Sequence, residues 1–350
     1  MMNRLSKWLL SAALGFTLAL PAIAQPVEVR PDGSMAVPAM TIPDSNLMSA
    51  EGNQSRVEHI LAERAVKGQP VAAFTAALYG PRLERTKAAF PVTIRADMIA
   101  GVPVLVYEPK DGIAPEKSDK LLINVHGGGL VACFVECGGM ESIPVAALTG
   151  IRVVSVDFRL APAAQFPAAS EDVAAVYREV LKKTPPQKIG LYGCSAGGLL
   201  AAQSLAWFQS HGLPMPAAAG ILCAGADPGM GGDSRIIGKV LGDGENPMPQ
   251  NGTRSALGYM RDAAETDSNA YPGRFPDVLR RFPPTLVIAG TRDSALSGAV
   301  HLHSRLVAMG VDARLHVWEG GRHAFFYDVR VPESREAYDV IARFMLDRLK

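Results

Sequence analysis

The sequence is short of several things, and each shortage closes a class of explanation. Charge of one sign is not in excess: 35 lysines and arginines stand against 34 acids, leaving a net +1. Such a balance carries no electrostatic footprint for nucleic acid or an anionic membrane, and neither is expected as a partner. Cysteine is scarce, 4 in 350 residues. A chain of this length does not need so few cysteines as a folding framework. Cys133 and Cys137 are near enough in sequence to bridge across a loop or one helical turn, but buried free thiols are the expectation. Cysteine and histidine never recur at metal-ligand spacing, so no metal is expected. The His301-Leu302-His303 triplet points its two rings to different sides of a helix, which suits surface better than ligation. Past the first 24 residues no apolar stretch is long enough to span a bilayer. Internal repeats and low-complexity tracts are also lacking.

What is present begins with an address. Arg4 and Lys7 precede an apolar run from Trp8 to Leu20, and Ala22-Ile23-Ala24 offers a small-x-small cleavage site before Gln25. Residues 1–24 read as a secretory signal peptide. The expectation is an exported protein, periplasmic or extracellular, without stable membrane insertion after cleavage. Residues 25–45 are proline-rich and unpatterned, a linker. Residues 46–90 carry helical periodicity. From residue 91 to 350 apolar strands alternate with helices. Continuous apolar strands with intervening helices imply an α/β fold, a mostly parallel sheet covered on both faces. A hydrophobic fraction of 48% is enough to fill such a core.

Within that domain "FPVTIRA" and "VPVLVYEP" read as an early hairpin, and Ser170 as the N-cap of the helix that follows it in "PAASEDVAAVYREVLKK". Residues 228–281 break the rhythm, with much Gly, Pro and Asn and a helix expected at 253–265. An excursion this long between two core strands reads as a lid.

The chemistry is concentrated at "GLYGCSAGGLL", residues 190–200. Gly-x-Ser-x-Gly alone is a weak signal, but here it follows a strand and opens a helix, the setting of a nucleophile elbow. Small residues at Gly193 and Gly197 allow the tight turn that would expose Ser195 at the carboxyl end of the sheet. A serine hydroxyl needs a base to take its proton. His323 supplies one in a loop after the last expected strand, and Asp293, just past the strand before it, can orient the imidazole. An oxyanion needs N–H donors, and "HGGG" at 126–129 offers a backbone able to turn its amides inward. Gly128, Gly129 and Ala196 are the expected donors, with His126 propping the loop. Leu130 and Phe134 follow the loop and are the first candidates for an apolar pocket, with Phe166, Met230, Phe325 and Phe326 behind them.

Four segments together resemble the hormone-sensitive-lipase-like esterases, bacterial family IV of the α/β-hydrolase fold: "HGGG" at 126–129, "DFRLAPAAQFPAASEDV" at 157–173, "GCSAGG" at 193–198, and "RDSAL" with "GGRHAFF" between 292 and 326. The resemblance runs from about Phe90 to the C-terminus. It implies a serine hydrolase acting on short- to medium-chain carboxylic esters without metal or cofactor, under a helical cap built from residues 46–90 and 228–281. The chain departs from the family at Cys194, where an aspartate is usual, at Leu130, where an aromatic is usual, and at Ser297, where a second carboxylate is usual. A small-molecule ester is the expected partner, and a homodimer is open. The same triad would serve a lactone, amide or carbonate. A non-catalytic ligand-binding protein would be expected to lose the serine or the histidine, and both are here.

Overall fold

The computed structural model of the protein describes residues 26–229, 231–245 and 258–350. The signal peptide expected at 1–24 and the residue Met230 lie outside them. The chain divides into two units, one ending at Pro43 and one from Asp44 to Lys350. In the first, the described residues include a two-residue antiparallel ladder pairing Glu28–Val29 with Met35–Ala36.

The second unit is built on an eight-stranded sheet. Its strands are β1 (Val92–Ile99), β2 (Val102–Pro109), β3 (Leu121–Val125), β4 (Arg152–Val156), β5 (Ile189–Cys194), β6 (Ala218–Leu222), β7 (Thr285–Arg292) and β8 (Ala313–Arg322). They lie in the order β8-β7-β6-β5-β3-β4-β2-β1. Pairing is parallel from β8 through β4, and antiparallel where β2 meets β4 and β1. This is the α/β-hydrolase architecture that the sequence implied. Ala100 and Gly101 close the β1–β2 hairpin, both at positive φ (52° and 81°), and β1 runs from Val92 to Ile99.

Helices are α1 (Ala50–Val66), α2 (Val71–Ala89), α3 (Phe134–Thr149), α4 (Ala168–Leu181), α5 (Ala196–Ser210), α6 (Asp233–Asp243), α7 (Pro276–Leu279), α8 (Leu296–Ala308) and α9 (Pro332–Arg348). Successive strand residues feed opposite faces: in β3, Ile123 and Val125 join the core under α4, α5 and α8, while Leu122 joins the core under α3 and α9. α2 packs on α3, and α1 packs on α6 and β8.

Four expectations are corrected. Ser170 is not an N-cap: α4 starts earlier, at Ala168, and the Ala169 N–H is satisfied from outside by the Tyr259 hydroxyl at 2.7 Å. α3 was not foreseen, because it is buried on nearly all sides and so shows no amphipathic period. Of the helix expected at 253–265, residues 253–257 lie outside the described residues and 258–265 form turns. α6 forms instead, in a stretch whose glycines looked like loop. Two of them, Gly238 and Gly242, are there for close approach, since a Cβ would run into the backbone of Asp293 and Arg292 respectively.

Candidate active site

Three strand ends converge at the carboxyl edge of the sheet. Ser195 follows β5, Asp293 follows β7, and His323 follows β8. Ser195 sits at φ 59°, ψ −124°, a conformation that L side chains rarely adopt, and its N–H is tied to the Leu222 carbonyl at 2.8 Å. The elbow presses against the end of β3. A Cβ on either Gly193 or Gly197 would collide with the Val125 carbonyl oxygen, so glycine is required at both. The strain and the glycines have one consequence, a hydroxyl held clear of the backbone at the start of α5.

His323 Nε2 lies 2.8 Å from Ser195 Oγ, and His323 Nδ1 lies 2.7 Å from Asp293 Oδ1. An ionised carboxylate can only accept, so Nδ1 carries the proton and Nε2 turns its lone pair to the hydroxyl. Asp293 is wholly buried, and Oδ1 also accepts from the Ala295 N–H at 2.8 Å. It thus serves the turn into α8 and the imidazole at once. Burial pushes the Asp293 carboxyl up, but the charge and hydrogen bond of His323 outweigh it and hold the pKa below the ordinary value of 3.8. For His323, burial opposes protonation. The Asp293 charge and hydrogen bond prevail, and its pKa stands above the ordinary 6.5.

The glycine loop follows β3. Gly128 and Gly129 have φ of 108° and 69°. Among the described residues the N–H groups of Gly128, Gly129 and Ala196 meet no acceptor in the protein. Gly129 and Ala196 line a cavity of about 400 Å³ together with Ser195 and His323; Gly128 is not part of its wall. His126 is buried, its Nδ1–H donates to the Gly127 carbonyl at 2.7 Å, and its ring stacks on Phe158 at 4.3 Å. Burial lowers its pKa to about 4, so it stays neutral. The "DFRLAP" stretch backs this loop, through that stack and through the Ala161 N–H on the Leu130 carbonyl at 2.9 Å.

Glu141, on α3, was not singled out from the sequence. It is buried and accepts four hydrogen bonds. Oε1 takes the Gly127 N–H at 2.9 Å and the Tyr327 hydroxyl at 2.5 Å; Oε2 takes the Asn124 side-chain amide at 2.7 Å and the Cys194 N–H at 3.2 Å. One carboxylate therefore joins the glycine loop, the residue before the elbow and the loop after His323. Burial raises its pKa to about 7 against these four donors. The available signal was a lone acid in "MESIPVAAL", an otherwise apolar run.

Cys194 is buried beneath the elbow beside Cys223, away from the cavity. Cys223, also missed, lies beside Asp293 and His323, with the three polar atoms within 4.8 Å of one another. Burial raises its thiol pKa, so it stays protonated. Cys133 and Cys137 are joined in a disulfide, where free thiols were expected. The helical turn that opens α3 brings the two together.

The apolar pocket is also corrected. Leu130 is fully buried in the core and does not reach the cavity. Phe134 packs against the His126 ring at 5.5 Å and is not part of the cavity wall. Phe166 packs against the core under α4, α5 and α8, and Phe325 and Phe326 belong to the core under α3 and α9, with Phe326 edge-on to Tyr338. The wall opposite the serine comes from α6 and the residues before it, and it is charged: Asp227, Arg235, Lys239 and Asp243.

Residues 122–327 match the alpha/beta hydrolase fold family. The chain belongs to that family. Relatives include an acetyl-hydrolase of Streptomyces hygroscopicus, 28% identical over 67% of this chain and 78% of the relative, and an acetyl esterase of Salmonella schwarzengrund (strain CVM19633), 25% identical over 67% and 74%. Among solved structures, an esterase superposes with a TM-score of 0.76 at 28% identity, covering 91% of this chain and 99% of its own. An esterase from the bacterial hormone-sensitive lipase family gives 0.73 at 26%, covering 86% and 99%. Sequence motifs and fold agree on that branch of the family.

Proposed function

We propose that this carboxylic ester hydrolase works by two-step acyl transfer through Ser195, on small esters with short to medium acyl chains. The observation that carries the reading is the continuous hydrogen-bond chain from Ser195 Oγ through His323 to Asp293, opening on a cavity. Neutral His323 takes the hydroxyl proton at Nε2 as Oγ attacks the ester carbonyl. Buried Asp293 stabilises the imidazolium that forms. The N–H groups of Gly128, Gly129 and Ala196 hold the developing oxyanion, at the head of α5, where the helix dipole favours negative charge. The alcohol leaves with the proton from His323. Water then repeats the sequence on the acyl-enzyme and releases the acid. The relatives' acetyl-ester activity supports the short acyl chain. The Cys133–Cys137 disulfide supports an oxidising compartment and hence export.

The test is a fluorophosphonate label with a short p-nitrophenyl ester. Wild-type protein should be labelled once, on Ser195, and should hydrolyse the ester. Ser195→Ala should do neither while keeping its melting temperature. Labelling elsewhere, or normal turnover by the variant, would sink the assignment.

A further inference from the structure

The wall opposite the nucleophile carries a charge that the protein does not use. Of the charged side chains lining the cavity, Asp227 is met by Arg274 at 2.6 Å, and Lys239 by Asp243 at 2.8 Å and Glu245 at 3.1 Å. Arg235 differs. It is only 8% exposed, lines the same cavity as Ser195 and His323, and its guanidinium makes no hydrogen bond or ion pair among the described residues. Its Nε and Nη2 are buried without an acceptor. An unpaired buried charge is unfavourable, and native proteins rarely leave one without a partner.

Its position is also fixed. The neighbouring Ser234 accepts from the Ser297 N–H at 2.8 Å and donates to the Ser294 carbonyl at 3.0 Å. Gly238, one turn on, lies directly against the Asp293 backbone. α6 is thus fastened to the turn that carries Asp293, and Arg235 stands at a set offset from the reacting centre.

We propose that Arg235 receives a carboxylate of the substrate, so that the site takes esters bearing a second, anionic group, half-esters of small dicarboxylic acids or esters of small hydroxy acids. This rests on the esterase reading above and narrows its substrate class. A guanidinium is a planar fork of N–H donors that matches a carboxylate, and such charge-assisted bonds are the stronger kind. A neutral alkyl ester of the same size would leave those donors without acceptors, and a site discriminates sharply against a ligand that does so.

The test compares matched esters: p-nitrophenyl butyrate against mono-p-nitrophenyl succinate for the acyl side, and phenyl acetate against 4-acetoxybenzoate for the alcohol side. In wild type, kcat/KM should favour the anionic member of at least one pair. In Arg235→Met that ratio should fall about 10–100-fold, and Arg235→Lys should restore part of it. The ratio does not depend on the fraction of enzyme folded. A wild-type preference for the neutral ester in both pairs, or a ratio that Arg235→Met leaves within about twofold, overturns the proposal. Loss of the esterase reading would register separately, as absent fluorophosphonate labelling of wild type. The anion site is then judged by calorimetric titration of monomethyl succinate into Ser195→Ala and into Ser195→Ala/Arg235→Met. Binding that vanishes with Arg235 sustains it, and equal or absent binding in both refutes it.

Discussion

At the scale of single residues, the site depends on which way protons point. Asp293 fixes the His323 tautomer by accepting from Nδ1. Asp293→Asn would present an amide to that nitrogen and favour the wrong tautomer. The expected loss in kcat is on the order of 10⁴-fold, with folding retained; a loss under tenfold would remove Asp293 from the mechanism. Because the His323 pKa is raised, the base is protonated in acid and free in alkali. Activity should therefore climb with pH, its acid limb centred above 6.5. A limb centred below that value would contradict the Asp293 contact. Glu141 acts one step back, as a positioning residue. All four of its partners are donors, so Glu141→Gln turns an NH₂ toward at least one N–H. A displaced glycine loop should lower kcat about 10–100-fold while KM moves little; an unchanged kcat would show that the loop holds without it.

At the scale of elements, α6 is the piece that turns a fold into a particular site. Its residues close against the backbone before and at Asp293, and the glycines that permit this are not turn residues. Gly238→Ala must push the helix away from the Asp293 carbonyl. A forced shift of this kind in packed structure is worth about 1–3 kcal/mol, and both melting temperature and esterase activity should fall. If the variant melts and turns over like wild type, the helix is not latched as described. The Cys133–Cys137 bridge spans a sequence separation of 4. Closing so short a loop removes little chain entropy, so Cys133→Ser with Cys137→Ser should lower stability by no more than about 2 kcal/mol. A larger drop in urea denaturation would mean that the bridge orders α3 itself.

For the whole molecule, buried acids set opposing pH limits. Asp328 is held at about 2 despite burial, by hydrogen bonds from Arg330 and Ser55. It ties α1 to the loop that carries His323, since Ser55 donates to it at 3.0 Å. A depressed carboxyl contributes stability above its unfolded pKa and loses it as pH falls toward about 2. Glu141 has the opposite sign. Its raised pKa means that the fold binds a proton more tightly than the unfolded chain, so stability falls as pH rises from 4.5 to about 7. The shift is worth about 3 kcal/mol. Unfolding free energy should therefore peak on the acid side, while activity rises on the alkaline side. In Glu141→Gln the decline between those two pH values should flatten. A wild-type stability maximum above pH 7 would refute the accounting.

The sequence by itself determined the sheet, the elbow and the identities of Ser195, Asp293 and His323. Those features follow from local rules: alternating apolar strands, a glycine-flanked serine between strand and helix, and polar residues just past strand ends. Tertiary structure decided the rest. α3 is buried all round and has no period to read; Glu141 matters only because three loops meet at it; Leu130 turns inward because the core, not the cavity, lies on its side of the turn. The charged wall around Arg235 was invisible for the same physical reason. Whether a buried charge has a partner depends on which distant side chains the fold brings within reach, and no local pattern records that.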